Sequence, residues 1–189
     1  MKTFISFVIL ALFAAVGLSG QASDNCVTSL ILSSYSERAY TKEPVTDQQI
    51  DVILKCGIKA PSGMNRQPWK FTVISDETTM KEAINDVVAG NVLIIISGVD
   101  SQDGSGPDLF GCGLVTESMF IAAHGLGLGA RIYGSPVANV NSRREVFQIP
   151  PGYKAVMILR IGNPDKNVDA VSAASPRKGF EEVVNFKKE

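Results

Sequence analysis

The chain has 189 residues, 45% of them hydrophobic and 20% charged, with a net charge of −1 at pH 7. That length suits one ordinary domain, and the near-neutral balance argues against a nucleic-acid or membrane-surface partner. Three cysteines cannot all pair within one chain, and Cys26, Cys56 and Cys112 form no metal or redox spacing. Cys56 and Cys112 fall in apolar helical contexts and read as small core residues, while Cys26 could be free or pair between chains.

Residues 1–22 read as a secretory signal peptide. Lys2 is a short positive start, Phe4 to Leu18 is an uncharged apolar run, and Gly20-Gln21-Ala22 is a small-residue cleavage site. A retained membrane anchor is the competing reading, since the run is nearly long enough to span. No stop-transfer basic cluster follows, so cleavage after Ala22 is expected. Loss of Lys2 takes the net charge from −1 to −2 and leaves residues 23–189 as one domain, periplasmic or extracellular.

Cys26 to Tyr35 reads as a first helix. A second begins at Thr46, whose spacing to Gln49 makes a capping box, and Ile50, Ile53, Leu54 and Ile58 fall on one face. Pro61 should stop that helix, because it biases Ala60 away from helical geometry. Trp69 to Ser75 is a strand, Asp76 to about Val88 a helix, and Val92 to Ile96 an apolar strand too short to cross a membrane. Asp100 to Asp108, rich in Gly, Ser and Asp, is a loop. The helix expected from Phe110 to Leu126 is apolar on nearly every side, so it must be buried in the core or against another subunit. Glycines 125, 127 and 129 end it. A short strand over Ala130 to Tyr133, a helix over Val140 to Phe147 and a strand over Ala155 to Ile161 complete the domain. Helices and strands alternate without a phosphate-loop signature, which predicts an α+β sandwich.

Hydrolytic and metal chemistry have little support. The single histidine, His124, stands at the end of the apolar helix and reads as packed or capping; no G-x-S-x-G elbow occurs. One histidine and scattered cysteines cannot make a usual zinc site. Gly125-x-Gly127-x-Gly129 follows a helix where a dinucleotide fingerprint would open one. A reaction borne by an organic cofactor is what remains.

Residues 60–69 read Ala60-Pro61-Ser62-Gly63-Met64-Asn65-Arg66-Gln67-Pro68-Trp69. The run resembles the flavin-cradling loop of the nitroreductase family, of pattern A-P-S-x-x-N-x-Q-P-W. Other stretches extend the resemblance in the family's order. Ser36-Glu37-Arg38-Ala39-Tyr40 is similar to its S-x-R/K-x-F element, and residues 122–129 to its A-A-x-x-L-G-L-G helix end. Ile161-Gly162-Asn163-Pro164 is similar to its I-G-x-P strand exit, and residues 177–184 to its R-x-P-L-E-E-V-V tail.

The resemblance implies a three-layer sandwich, with a central and mainly antiparallel sheet wrapped by helices. It implies a homodimer in which an extended C-terminal tail crosses onto the partner, and FMN as cofactor. Ser36, Arg38 and Arg177 would hold the FMN phosphate. Pro61, Ser62 and Gly63 would lie along the isoalloxazine, with Asn65 bonding nearby or bracing the loop. Tyr133-Gly134 aligns with the position whose backbone N–H faces the flavin N5. The implied activity is ping-pong, two-electron reduction of a nitroaromatic, quinone or enone, with no side chain acting as acid or base. The electron donor is open, NAD(P)H included, although export would place the protein where nicotinamides are scarce.

Departures from the pattern support an alternative, an exported flavin-binding or scavenging protein with little turnover. Ser34 stands where the family often has Arg, two residues before Ser36. Ser175 stands where a basic residue precedes Arg177 by two. The D-x-G-x-x-x-Q-N start of the long helix becomes Gly111-Cys112-Gly113 with Glu117-Ser118. The stretch between the strands at Trp69 and Val92 leaves little room for substrate-covering helices.

Overall fold

In the computed structural model, residues 25–101, 106–171 and 175–188 are described. The expected signal segment, residues 1–22, and part of the loop at 100–108 lie outside them.

The helices start where short polar side chains can take the first free backbone N–H groups. α1 (Cys26–Ser33) is capped by Asn25, which accepts from Val27 N and Thr28 N, both at 3.0 Å. α2 (Asp47–Ile58) carries the expected capping box between Thr46 and Gln49. Asp76 caps α3 (Glu77–Ala83), and Asp108 caps α4 (Leu109–Gly125). α5 (Val137–Ser142) follows Pro136, and α6 (Phe180–Val183) is a single turn in the tail.

The strands β1 (Trp69–Ile74), β2 (Val92–Val99), β3 (Gly129–Tyr133) and β4 (Tyr153–Gly162) form one sheet of order β1-β2-β4-β3, every pair antiparallel. Layers lie on both faces. Val92, Ile94 and Ile96 of β2 pack with Ile53 of α2 and with Val115, Met119 and Ala123 of α4. Leu93 and Ile95 point the other way, to Met80 of α3, Val140 of α5 and Phe147. Burial on both faces explains why β2 reads as an unbroken apolar run and not as an alternation. The architecture is the expected α+β three-layer sandwich with an antiparallel sheet.

Several boundaries differ from the sequence reading. α1 ends at Ser33, where Ser34 turns extended. Ile58, placed on the buried face of α2, is 53% exposed. It is the last helical residue, and the buried position beside it is Gly57, whose missing Cβ leaves room for the Met119 side chain. α3 stops at Ala83 and not near Val88, because Ile84 turns extended and, with Val87, drops into the core. The helix expected at 140–147 begins earlier and ends at Ser142; turns follow to Gln148, whose φ is 50°. α4 buries one face only, leaving Leu109 and Phe110 exposed in the single chain.

Two buried charges, Glu37 and Arg160, were not anticipated. Arg160 of β4 is 2% exposed. Its Nε donates to Asn91 Oδ1 at 2.9 Å, its guanidinium donates to Asp86 Oδ2 at 3.1 Å and to Asp86 O at 2.9 Å, and it lies 4.2 Å from the Tyr40 ring centre. A buried cation is tolerable when paired and hydrogen-bonded in this way.

Candidate flavin-binding site

The segment after α1 alternates in and out. Glu37, 2% exposed, folds inward. Its Oε1 accepts from Arg38 N at 2.8 Å and Ala39 N at 3.0 Å, and its Oε2 accepts from the Tyr35 hydroxyl at 3.1 Å. Glu37 N in turn donates to Ala130 O of β3 at 2.9 Å. This contact requires glycine at 129, where a Cβ would come within 2.5 Å of Glu37 Cγ. With Glu37 fixed inward, its neighbours Ser36 and Arg38 are exposed. Burial, followed by the charge of Glu37, raises the pKa of the Tyr35 hydroxyl, so it stays protonated and donates.

Beyond Arg38 the chain is stitched to the exit of β4. Asp165 N donates to Ala39 O at 3.0 Å, Thr41 N donates to Asn163 O at 2.8 Å, and Tyr40 bridges Pro164. The tail leaving β4 then returns past the same segment. Ser34, Tyr35, Ser36, Arg38, Ser175 and Arg177 line one concavity of about 410 Å³. Neither the Arg38 nor the Arg177 guanidinium makes an ion pair or a side-chain hydrogen bond among the described residues. Both positions where family cations are replaced, Ser34 and Ser175, are in this lining. The structure thus brings together the three residues expected at the phosphate, with hydroxyls in place of two further cations.

The loop at 60–69 is a second, separate element. Met64, Asn65 and Gln67 all have left-handed backbone, with φ of 50°, 54° and 49°. Such angles are rare outside glycine and are held only by strong local bonding. That bonding is present. Gln67 N donates to Ser62 Oγ at 3.0 Å, Asn65 N donates to Ser62 O at 3.0 Å, and Gln67 Nε2 donates to Asn65 O and Oδ1, both at 3.2 Å. Val99 N donates to Pro68 O at 3.0 Å, and Trp69 is buried in the core, so the loop is pinned at its C-terminal end. Asn65 therefore braces the loop, one of its two expected roles. Pro61 and Gly63 are exposed, and a Cβ at Gly63 would meet nothing within 4 Å.

Tyr133 and Gly134 end β3 at a third place. The Tyr133 hydroxyl is 3.5 Å from the Arg160 guanidinium, and Arg131 lies over its ring at 4.8 Å. Gly134 is exposed, with open space on its Cα. Neither the loop nor Tyr133-Gly134 lines the concavity of Arg38. Glu37 and Gln67 do not stand out as site residues in the sequence. Both lie inside the quoted motifs, yet only their bonds show that they set the shape of those motifs.

His124 packs edge-on against Phe120, with ring centres 4.6 Å apart, and lies 5.8 Å from Tyr35. Burial lowers its pKa below the ordinary value of 6.5, against the opposing effect of a hydrogen bond to the Tyr35 backbone. It is a packed histidine. Cys112 is fully buried, and burial pushes its thiol up to about 11, which makes it a core residue and not a nucleophile. Cys26 is exposed and Cys56 half-buried. No group of three or more His, Cys, Asp or Glu able to hold a metal occurs among the described residues.

Comparison with known proteins finds similarity in both sequence and fold. The model of the nitroreductase family matches residues 31–102. A protein of Archaeoglobus fulgidus, provisionally named NADH dehydrogenase/NAD(P)H nitroreductase, is 28% identical over 154 residues, covering 76% of this chain and 88% of the relative. A Desulfovibrio desulfuricans protein, provisionally a nitroreductase and solved in complex with FMN, is 28% identical with a TM-score of 0.73, covering 88% of this chain and 99% of that one. A Bacteroides fragilis nitroreductase with bound FMN shares the fold at 18% identity and a TM-score of 0.71, covering 87% of this chain and 100% of that one. With its motifs in the family's order and its sheet and helices in the same arrangement, the chain resembles the nitroreductase family.

Proposed function

We propose that the chain is an FMN-dependent oxidoreductase. The observation that carries this reading is the meeting of two guanidinium groups, Arg38 and Arg177, which hold no ion pair among the described residues, with the hydroxyls of Ser34, Ser36 and Ser175 around one concavity. A phosphate monoester carries about −1.5 to −2 charges at neutral pH, which two guanidinium groups neutralise, and bidentate donors suit its oxygens. Ser36, Arg38 and Arg177 would hold the phosphate. Pro61, Ser62, Gly63 and Asn65 would present the braced loop to the ring, and Tyr133-Gly134 a backbone donor. When bound, FMN supplies two-electron chemistry at its ring, so a donor and an electron-poor acceptor such as a nitroaromatic, quinone or enone can use one place in turn. The chain's own residues then need only bind, orient and exclude water.

Neither the 60–69 loop nor Tyr133-Gly134 lines the concavity of Arg38, which supports a homodimeric site assembled from two copies. The apolar run Phe4 to Leu18 supports export with cleavage after Ala22. The relatives named for NAD(P)H favour a nicotinamide donor; export favours another donor, and the rate of flavin bleaching by NADPH in stopped flow separates the two.

A second reading, stoichiometric flavin carriage with little turnover, is favoured by one observation: Ser34 and Ser175 bring hydroxyls, not cations, into the phosphate concavity. The deciding experiment is equilibrium titration of the mature protein with FMN and FAD, followed by turnover with a nitroaromatic. The expected result is a yellow protein that binds FMN better than FAD, reduced by dithionite and reoxidised by the nitroaromatic. Binding of neither flavin would remove the reading, and binding without turnover would leave carriage.

A further inference from the structure

Arg66 belongs to the braced loop and to none of the roles above. A concavity of about 560 Å³ lies between this loop and the start of α4. Met64, Pro68, Val99 and Pro107 give it apolar walls, and Arg66 is a cation in its lining. The size is that of a small-molecule site, which typically spans about 300–1,000 Å³ with a few placed polar groups on apolar walls.

The Arg66 guanidinium has no carboxylate partner among the described residues; it rests 3.6 Å from Met64 Sδ. Asp108, the acid in the same lining, is turned to the helix, where its Oδ1 accepts from Gly111 N at 2.9 Å. A guanidinium with no carboxylate partner among the described residues, in one lining with apolar walls, suits a carboxylate, sulfonate or phosphate on an apolar body. The left-handed backbone at Met64 and Asn65, kept in place by the Ser62 and Gln67 bonds, holds both Met64 and Arg66 at this concavity. Gly63 lines it as well, so the concavity adjoins the part of the loop assigned to the flavin ring.

We infer that this concavity receives the reacting small molecule and selects an anionic aromatic, with Arg66 binding the anion and Met64, Pro68, Val99 and Pro107 enclosing the ring. The inference rests on the flavin-dependent reading for the word reacting; the preference for an anion does not. Its test compares 4-nitrobenzoate with 4-nitrobenzamide, nearly equal in size and differing in charge, by equilibrium binding to the full mature protein, FMN-loaded and flavin-free. A charge-assisted hydrogen bond gained by only one of the pair predicts binding of the benzoate tighter by about tenfold or more. Arg66→Ala should erase that preference while holding the benzamide and FMN as before, and Arg66→Lys should keep part of it. Arg38→Ala should weaken FMN but leave the preference intact. Equal affinities in the unaltered protein, binding of neither probe, or a preference that survives Arg66→Ala and disappears in Arg38→Ala would overturn the inference. Failure of the flavin titration alone would instead remove the flavin-dependent reading, and the probe comparison on flavin-free protein would still stand.

Discussion

Arg38 and Arg177 are separated by most of the chain, yet they line one concavity. Solvated arginines commonly lie along their own surface and pair with a nearby acid; these two share a lining and hold no ion pair among the described residues. Loss of one charge-assisted phosphate contact costs about 1.5–3 kcal/mol, or about ten- to a hundredfold in affinity. Arg38→Ala and Arg177→Ala should each weaken FMN by that factor while leaving the urea midpoint of the flavin-free protein unchanged, since both residues are exposed. Titration by flavin fluorescence checks this, and unchanged affinity in both variants would mean that the phosphate sits elsewhere.

Among the elements, the end of α4 and the segment after α1 meet at His124. The imidazole packs against Phe120 and Tyr35, and its Nε2 is buried with no hydrogen-bond partner among the described residues. A proton on that nitrogen would create a buried donor with no acceptor, so the folded chain holds the ring neutral and its pKa lies below 6.5. The unfolded chain takes up that proton near the ordinary value. Stability from this group is therefore complete above pH 6.5 and is lost as the pH falls below it. Urea midpoints at pH 7.5 and 5.5 should differ in the unaltered protein, and the difference should shrink in His124→Gln. An identical slope in the variant would assign the effect to the carboxylates.

Large apolar side chains stand uncovered on several elements of the described chain. Val27, Ile31 and Leu32 of α1 are exposed, as are Leu109 and Phe110 at the start of α4 and Phe180, Val183 and Phe186 in the tail. These side chains are uncovered in the single chain, and neither the 60–69 loop nor Tyr133-Gly134 lines the concavity of Arg38. A second copy answers both, so the protein should sediment as a dimer at micromolar concentration. A stable, fully folded monomer there would contradict the homodimer and with it the shared flavin site.

The sequence by itself determined the elements and the chemistry on offer. The Thr46–Gln49 capping box, the stop before Pro61, the apolar run of β2 and the glycines after α4 are short-range signals, and the backbone obeys them because caps, fixed φ and burial act within a few residues. The motif at 60–69 and the tail at Arg177 resemble a family's flavin loop and tail, and that resemblance is legible without any knowledge of contacts. Tertiary structure decided what depends on long-range pairing. It turned Glu37 inward against β3, so that Ser36 and Arg38 face outward. It returned the tail from β4 so that Arg177 meets Arg38. It buried Arg160 by supplying Asn91, Asp86 and Tyr40 from distant positions, and it gave Arg66 a concavity by closing the loop against the start of α4. None of these follows from local preference, because each is fixed by the register of β3 and β4 and by the packing of α4, which join residues far apart in the chain.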